Sequence, residues 1–359
     1  IYTIEMTKRT KIYFIGRKQG IGHRRYRLSH LENRRKYEPE GLKDAKDKIK
    51  QVRLIQNADV IWVRVRPEHT NDKQRKIIEN RLKKVRKKTV IINDISVFDN
   101  YDCKDTTFYL WKKQGITCPD YLTIEPKVDH ADQIVDEISS FIRKYKKVFL
   151  RTNNETASLG MYTLTTSTSK EEIENTLSLL VARSRQHQKK RKATRVMAVE
   201  FFEQKSSGQY TDLYRVHIVF GKIISFYAVT SKKDIFHNID MTNDDLERFI
   251  MLNENLSDKI YSLEPKLISA VESLGCNLGA IEFFVENNEP VFLELNPMWG
   301  GHASINGFGD SDMQSYLINN RGVLEDRIPN IYNFMDYRLY YKKLYEHIHK
   351  FMSVNANIK

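Results

Sequence analysis

The run FLELNPMWGGHASING, residues 292–307, holds the residue types that could do chemistry. Side chains two apart on a strand share a face, so Glu294 and Asn296 stand side by side before the run breaks at Pro297 into a loop with Trp299, Gly300, Gly301 and His302. Upstream, GAIEFFVENNEPVFLELN reads as two short strands joined through the turn residues Glu286, Asn287, Asn288 and Glu289. A turn centred on Asn288 sets Glu282 and Glu294, six residues to either side, opposite one another, with Cβ atoms roughly 5 Å apart. Carboxylates that close repel unless a cation or a shared proton lies between them. Oxygen ligands with an open side suit Mg²⁺, which completes its shell from water and substrate phosphates. The competing reading, two unrelated acids on a solvent-facing strand, is disfavoured by the flanking Ile281, Phe283, Phe284, Leu293 and Leu295, which belong to buried positions.

The rest of the chain must position these groups. KIYFIG (11–16), ADVIWVRV (58–65) and TVIIND (89–94) are strand-like, and the segments between them, such as DKQRKIIENRLKKVR, have helical charge patterns. They imply a small open α/β domain over about residues 1–100. KDTTFYLWKKQ (104–114) reads as a helix stopped by Gly115, with Pro119 beyond it. HADQIVDEISSFIRKY is a helix, KVFLRT a strand, SKEEIENTLSLLVARSRQ a helix capped by Ser169, and RVMAVEFFE a strand. From residue 212 the pattern turns β-rich, with a hairpin around Gly221; DKIYSLEPKLISAVESLG then reads as one helix ending at Gly275. Tyr340, Tyr341 and Tyr345 form the buried stripe of a docking helix near the C-terminus.

Taken in order, these segments resemble the ATP-grasp superfamily. The carboxylate strand, the tight turn, Glu-x-Asn-Pro and the glycine loop are similar to its metal-binding end, with Glu282 where the family usually has Asp. CKDTTFYLWKKQGITCP resembles the segment in which a lysine opens a helix: Lys104, Gly115 and Pro119 fit its spacing. VFLRTNNETASLGMY is similar to the strand and small-residue loop that cover the phosphates, with Arg151 where the family has lysine and Ser158 and Gly160 in the loop. AVEFFEQ and DLYRVHIVFGKII resemble the adenine hinge (Glu200, Phe201, Phe202), the ribose-binding acid (Glu203) and the arginine near the transferred phosphoryl group (Arg215). The resemblance spans about residues 90–310. It implies an α/β fold with α+β subdomains, an ATP-grasp fold behind an N-terminal open α/β domain. The divisions are 1–100, 101–203, 204–325 with the metal hairpin, and a helical extension 326–359. The nucleotide is expected between the second and third parts.

The implied activity is an ATP-dependent carboxylate–amine ligase. A carboxylate takes the γ-phosphoryl group of ATP, and an amine then displaces phosphate from the acylphosphate. The cofactors implied are ATP and two Mg²⁺ ions, with Mn²⁺ as a substitute. Phosphoryl transfer asks for positioning and charge neutralisation, which the metal, Lys104, Arg151 and Arg215 would supply. A lid must exclude water from the acylphosphate, and TNNETASLG has the composition of a mobile flap. The substrate is a small-molecule or peptide carboxylate, held in part by Trp299, Gly300, Gly301 and His302. No Walker A sequence occurs, which argues against a P-loop ATPase.

Composition sets the outer bounds. The 359 residues suggest two or three domains, and a 40% hydrophobic content with 29% charged residues is that of a soluble protein. No apolar run approaches the roughly 20 residues of a membrane helix, and the N-terminal IYTIEMTKRTKIYFIGR does not read as a signal peptide. Three cysteines without metal-ligand spacing fit a reducing cytoplasm. The net charge of +13 and the runs KKVRKK and KKRK read first as a solvated surface, leaving nucleic acid open as a partner, as is a homodimer. GRKQGIGHRRYR (16–27) divides between a basic surface loop and an anion-binding substrate loop using Arg24 and Arg25. Other acylphosphate or carboxylase-type chemistry, a thiol acceptor, and a non-catalytic nucleotide-binding protein with a basic surface are the alternatives.

Overall fold

A computed structural model of the chain describes residues 10–16, 31–34, 56–65, 70–85, 87–125, 131–155, 160–204, 209–233, 235–297, 308–335 and 337–356. Parallel strands buried on both faces need continuous apolar runs. The first 92 residues supply them in β1 (Thr10–Gly16) and β3 (Val60–Arg64), joined by β2 (Leu31–Arg34) and β4 (Val90–Ile92) in the parallel order β2-β1-β3-β4. Helix α1 (Asp72–Leu82) starts at an Asn71 cap whose side chain and Gln74 exchange hydrogen bonds with each other's backbone. After it come α2 (Phe98–Asp102) and α3 (Lys104–Lys113), the latter ended by Gly115 at φ 71°.

The second sheet is antiparallel, in the order β5-β8-β6-β7: β5 (Tyr121–Ile124), β6 (Lys147–Thr152), β7 (Met161–Thr165) and β8 (Val196–Glu200). Helices α4 (Ala131–Tyr145) and α5 (Lys170–Gln188) share its core, with Val135, Ile138, Leu177 and Leu180 packed around Val148, Leu150 and Ala198. Ser169 caps α5 through a box with Glu172.

The third sheet, also antiparallel, runs β10-β9-β11-β12: β9 (Thr211–Val219), β10 (Lys222–Ser231), β11 (Leu278–Glu286) and β12 (Glu289–Asn296). Phe220 and Gly221, both at positive φ, make the tight β9–β10 turn. Between β10 and β11 lie α6 (Leu246–Glu254), α7 (Leu256–Ser262) and α8 (Glu264–Glu272). The single helix expected over 258–275 is therefore two. Pro265 cannot donate a backbone hydrogen bond and disfavours helical geometry just before it, so the chain breaks at Leu263 and restarts with proline in the first turn. Helices α9 (Ser311–Asn319), α10 (Arg321–Leu324), α11 (Pro329–Met335) and α12 (Tyr337–Ala356) complete the described chain. Tyr340 and Tyr345 are buried on α12 as expected; the Tyr341 side chain lies outside the described residues.

Two cores join the first and third sheets. One face of the first sheet, with Tyr13, Ile15, Ile61 and Val63, shares a cluster with Tyr214, Val216, Ile281 and Phe283. The other face, with Ile12, Val60 and Trp62, shares a cluster with Tyr227, Ala280, Phe308 and Tyr340. A pair of asparagines clasps the join. Asn93 N donates to Asn277 Oδ1 and Asn277 N to Asn93 Oδ1, both at 3.0 Å. Their side-chain amides donate to Leu278 O (2.6 Å) and Ile91 O (2.8 Å). Asn93 sits at φ 51°, a left-handed conformation asparagine tolerates.

Candidate active site

The carboxylate hairpin turns on Asn287 and Asn288, at φ 51° and 64°, with Glu286 opposite Glu289. The turn is therefore centred between the two asparagines, half a residue earlier than the spacing suggested. A bulge at Leu293 then adds one residue to β12, so Phe283 faces Phe292 while Glu282 faces Glu294. The two shifts cancel at the pair that matters.

In register, Tyr227 of β10, Arg215 of β9, Glu282 of β11 and Glu294 of β12 form one row across all four strands. Side chains in register share a face, and here they touch. Arg215 Nη1 donates to the Tyr227 hydroxyl at 3.2 Å, and its Nη2 pairs with Glu282. Asn296 Nδ2 donates to Oε1 of both Glu282 and Glu294, each at 2.9 Å. Lys104, opening α3, reaches across to pair with Glu294. Each carboxylate thus has a cation of its own, and the neutral Asn296 amide bridges the two. The Lys104 ammonium holds the Glu294 carboxyl below the ordinary carboxylate range, against burial and with help from the Asn296 amide. Burial lowers Lys104 in turn, offset by Glu294.

Lys104 is placed by its own backbone. Its N donates to Asn153 O at 2.8 Å. Asp105, next in the chain, accepts from Asn153 Nδ2 (2.9 Å) and Arg195 Nε (2.7 Å), while Asn153 Oδ1 accepts from Arg195 N (2.9 Å). Asn153 is wholly buried. This network knits the start of α3 to the ends of β6 and β8. Nothing local in the sequence announces it, apart from two consecutive asparagines closing a strand.

Arg151, also buried, lies on β6 and spends part of its fork on the chain. Nε donates to Thr152 O (3.0 Å) and Nη2 to Glu155 O. Burial lowers its pKa, offset by Glu294 and Glu155. Glu155 in turn receives Thr152 Oγ1 (2.6 Å) and Arg183 of α5 (Nη2 at 2.6 Å). A side chain at Gly160, φ 61°, would strike Glu155 Oε2 at 2.8 Å.

These groups border a cavity of about 290 Å³. Lys104, Arg151, Glu282 and Glu294 line it together with an aromatic set, Phe108, Phe149, Phe201 and Phe202. Phe202 stacks on Phe284 (centroids 6.0 Å, 18°), and Phe201 meets Phe149 edge-on at 5.1 Å. Phe201 and Phe202 follow β8 outside any regular element, with Glu203 and Gln204 on the wall. Glu200 lines the cavity too, and burial raises its carboxyl, which accepts from Asp120 N at 2.9 Å. Among the described residues no group of three or more His, Cys, Asp or Glu could hold a metal; the hairpin offers two carboxylates and an amide.

No family model matches the chain, and neither does any curated protein. Among solved structures it is similar to D-alanine–D-alanine ligase from Bacillus anthracis, at TM-score 0.52 and 10% identity over 95% of this chain and 99% of that one. The same enzyme complexed with ATP is similar at TM-score 0.50 and 10% identity, over 93% and 98%. The fold is the ATP-grasp fold.

Within this ATP-grasp fold, the described residues bring together Lys104, Arg151, Glu200, Phe201, Phe202, Glu203, Glu282 and Glu294 around one cavity, with Arg215 and Asn296 bonded to its carboxylates. Gly160 lies apart from the lining, beside Glu155. Ser158, Arg24, Arg25, Trp299, Gly300, Gly301 and His302 lie outside the described residues. Sequence reasoning missed Phe149, Met161 and Tyr210 on the wall, and Tyr227 behind Arg215. All three cysteines are buried, and burial raises their thiols, Cys118 and Cys276 to about 12, so none is a ready nucleophile. Among the described residues no helix is long and apolar enough to cross a membrane.

Proposed function

We propose that the protein is an ATP-dependent carboxylate–amine ligase that works through an acylphosphate. The observation that carries the reading is the union, in one cavity, of an aromatic slot with the cations Lys104 and Arg151 and the paired acids Glu282 and Glu294. A purine fits between aromatic rings, and a triphosphate needs cations and a hard-metal clamp at its far end. The ATP-bound neighbour supports this reading at the level of fold.

In the proposed reaction, a substrate carboxylate oxygen attacks the γ-phosphorus, the bond to ADP breaks, and an acylphosphate forms. An amine nitrogen then attacks the acyl carbon, phosphate leaves, and the nitrogen gives up a proton. Lys104 and Arg151 bind phosphate oxygens, while Arg215, braced by Tyr227, faces the charge that builds on the transferred group. Glu203, which lines the cavity, is the acid that would take the ribose hydroxyls. The oxygens of Glu282, Glu294 and Asn296 are the hard donors Mg²⁺ takes, and the pairing of the two acids with Lys104 and Arg215 supports a site suited to positive charge. Two Mg²⁺ ions, when bound there, supply charge neutralisation of the phosphates. The reading is tested by screening ADP release against pools of carboxylates and amines, with Glu294→Gln as the control. A chain that binds no nucleotide, or that releases ADP equally well as Glu294→Gln, overturns it.

A further inference from the structure

Arg64 closes β3 and is only 2% exposed, yet among the described residues neither its Nε nor its Nη1 has a hydrogen-bond partner. Its guanidinium lies 5.3 Å from the centroid of the Trp62 ring, which offers a face and no counter-charge. A buried guanidinium without an anion is costly, and structures keep one where something else supplies the charge.

Its position points to a ligand. Arg64 stands at the carboxyl end of β3, in register with Gly16 at the same end of β1, and open parallel sheets bind ligands beyond the carboxyl ends of their strands. Trp62, two residues earlier and so on the same face, packs into the core that holds Tyr227, the residue bracing Arg215. Arg64 therefore shares with Trp62 the face of the first sheet whose core also holds Tyr227. It does not line the nucleotide cavity. The end of β4, beside β3, is fastened to Leu278, and Glu282 lies four positions further along β11, about 14 Å of strand.

We propose that Arg64 is the anchor for a second, distal carboxylate of the substrate, so that the substrate is a dicarboxylate or a peptide-like acid with one acid phosphorylated and the other held here. This rests on the ligase reading. The planar fork of arginine matches a carboxylate in two parallel hydrogen bonds, which a lysine cannot reproduce.

The test needs no ATP. Thermal melting of the full chain is followed against succinate, inorganic phosphate and chloride at equal ionic strength, for wild type, Arg64→Met and Arg64→Lys. Succinate should raise the wild-type melting temperature above the chloride control. Arg64→Met should abolish that response, and Arg64→Lys should fold and weaken the apparent affinity by roughly tenfold, the scale of one charged hydrogen bond. Affinity for a non-hydrolysable ATP analogue should be unchanged in both variants. A wild type indifferent to succinate, an undiminished response in both variants, or stabilisation by phosphate alone overturns the proposal. Should Glu294→Gln release ADP normally while the succinate response depends on Arg64, the ligase reading falls and the anion anchor stands; the opposite pair removes the anchor alone.

Discussion

The Lys104 ammonium rests on the Glu294 carboxylate across 190 residues of chain. This pair joins the helix start fixed by Asn153 to the hairpin fixed by its bulge. Glu294→Gln keeps the shape and the Asn296 bond but removes the charge. ADP formation should fall by roughly a hundredfold or more, with far-ultraviolet circular dichroism unchanged. Undiminished turnover would make the hairpin purely structural.

The same pair sets a pH signature. Lys104 depresses the Glu294 carboxyl in the folded chain, so this contribution to stability is complete above the ordinary carboxylate range and is lost as pH falls below it. Melting temperatures measured from pH 7 down to about 3 should drop less steeply in Glu294→Gln than in wild type. Parallel curves would refute the coupling.

Arg151 is predicted to be irreplaceable by lysine here. Its fork holds Thr152 O and Glu155 O, and an ammonium cannot span both while facing the cavity. Arg151→Lys should lose about 1–2 kcal/mol of stability in urea melts and bind ATP several-fold more weakly. Wild-type behaviour on both counts would show the two bonds to be dispensable.

Asn277→Ala should cost about 2–3 kcal/mol, because the Asn93 amide and the Ile91 carbonyl lose partners at a largely buried join. Urea unfolding reads the loss, and nucleotide affinity measured well below the midpoint should not move.

The hairpin was legible in the sequence because its information is local: two alternating runs, a turn and a Glu-x-Asn ending. The bulge was not, since nothing in EPVFLELN distinguishes Leu293 from its neighbours. Its effect was hidden by the opposite half-residue shift of the turn. Strand β7 was missed because MYTLT is short and exposes Tyr162 on one side. The break before Pro265 was there to be read but was outweighed by helical periodicity on either side. The Asp105–Asn153–Arg195 network joins residues from three elements, and such contacts leave no periodic trace.

The first and third sheets are clasped by Asn93 and Asn277 and share two cores. The second sheet has a core of its own around Val148, Leu150 and Ala198, and Met197 and Val199 of β8 also join the core shared by the other two sheets. The cavity is therefore walled from two sides, by Arg151 on β6 of the second sheet and by the carboxylate row of the third. The carboxylate row and Arg64 lie on the two sheets that the asparagines join. On the proposed reading, the reach from Arg64 to Glu282 is set by that asparagine join and acts as a ruler for the length of acid the site accepts.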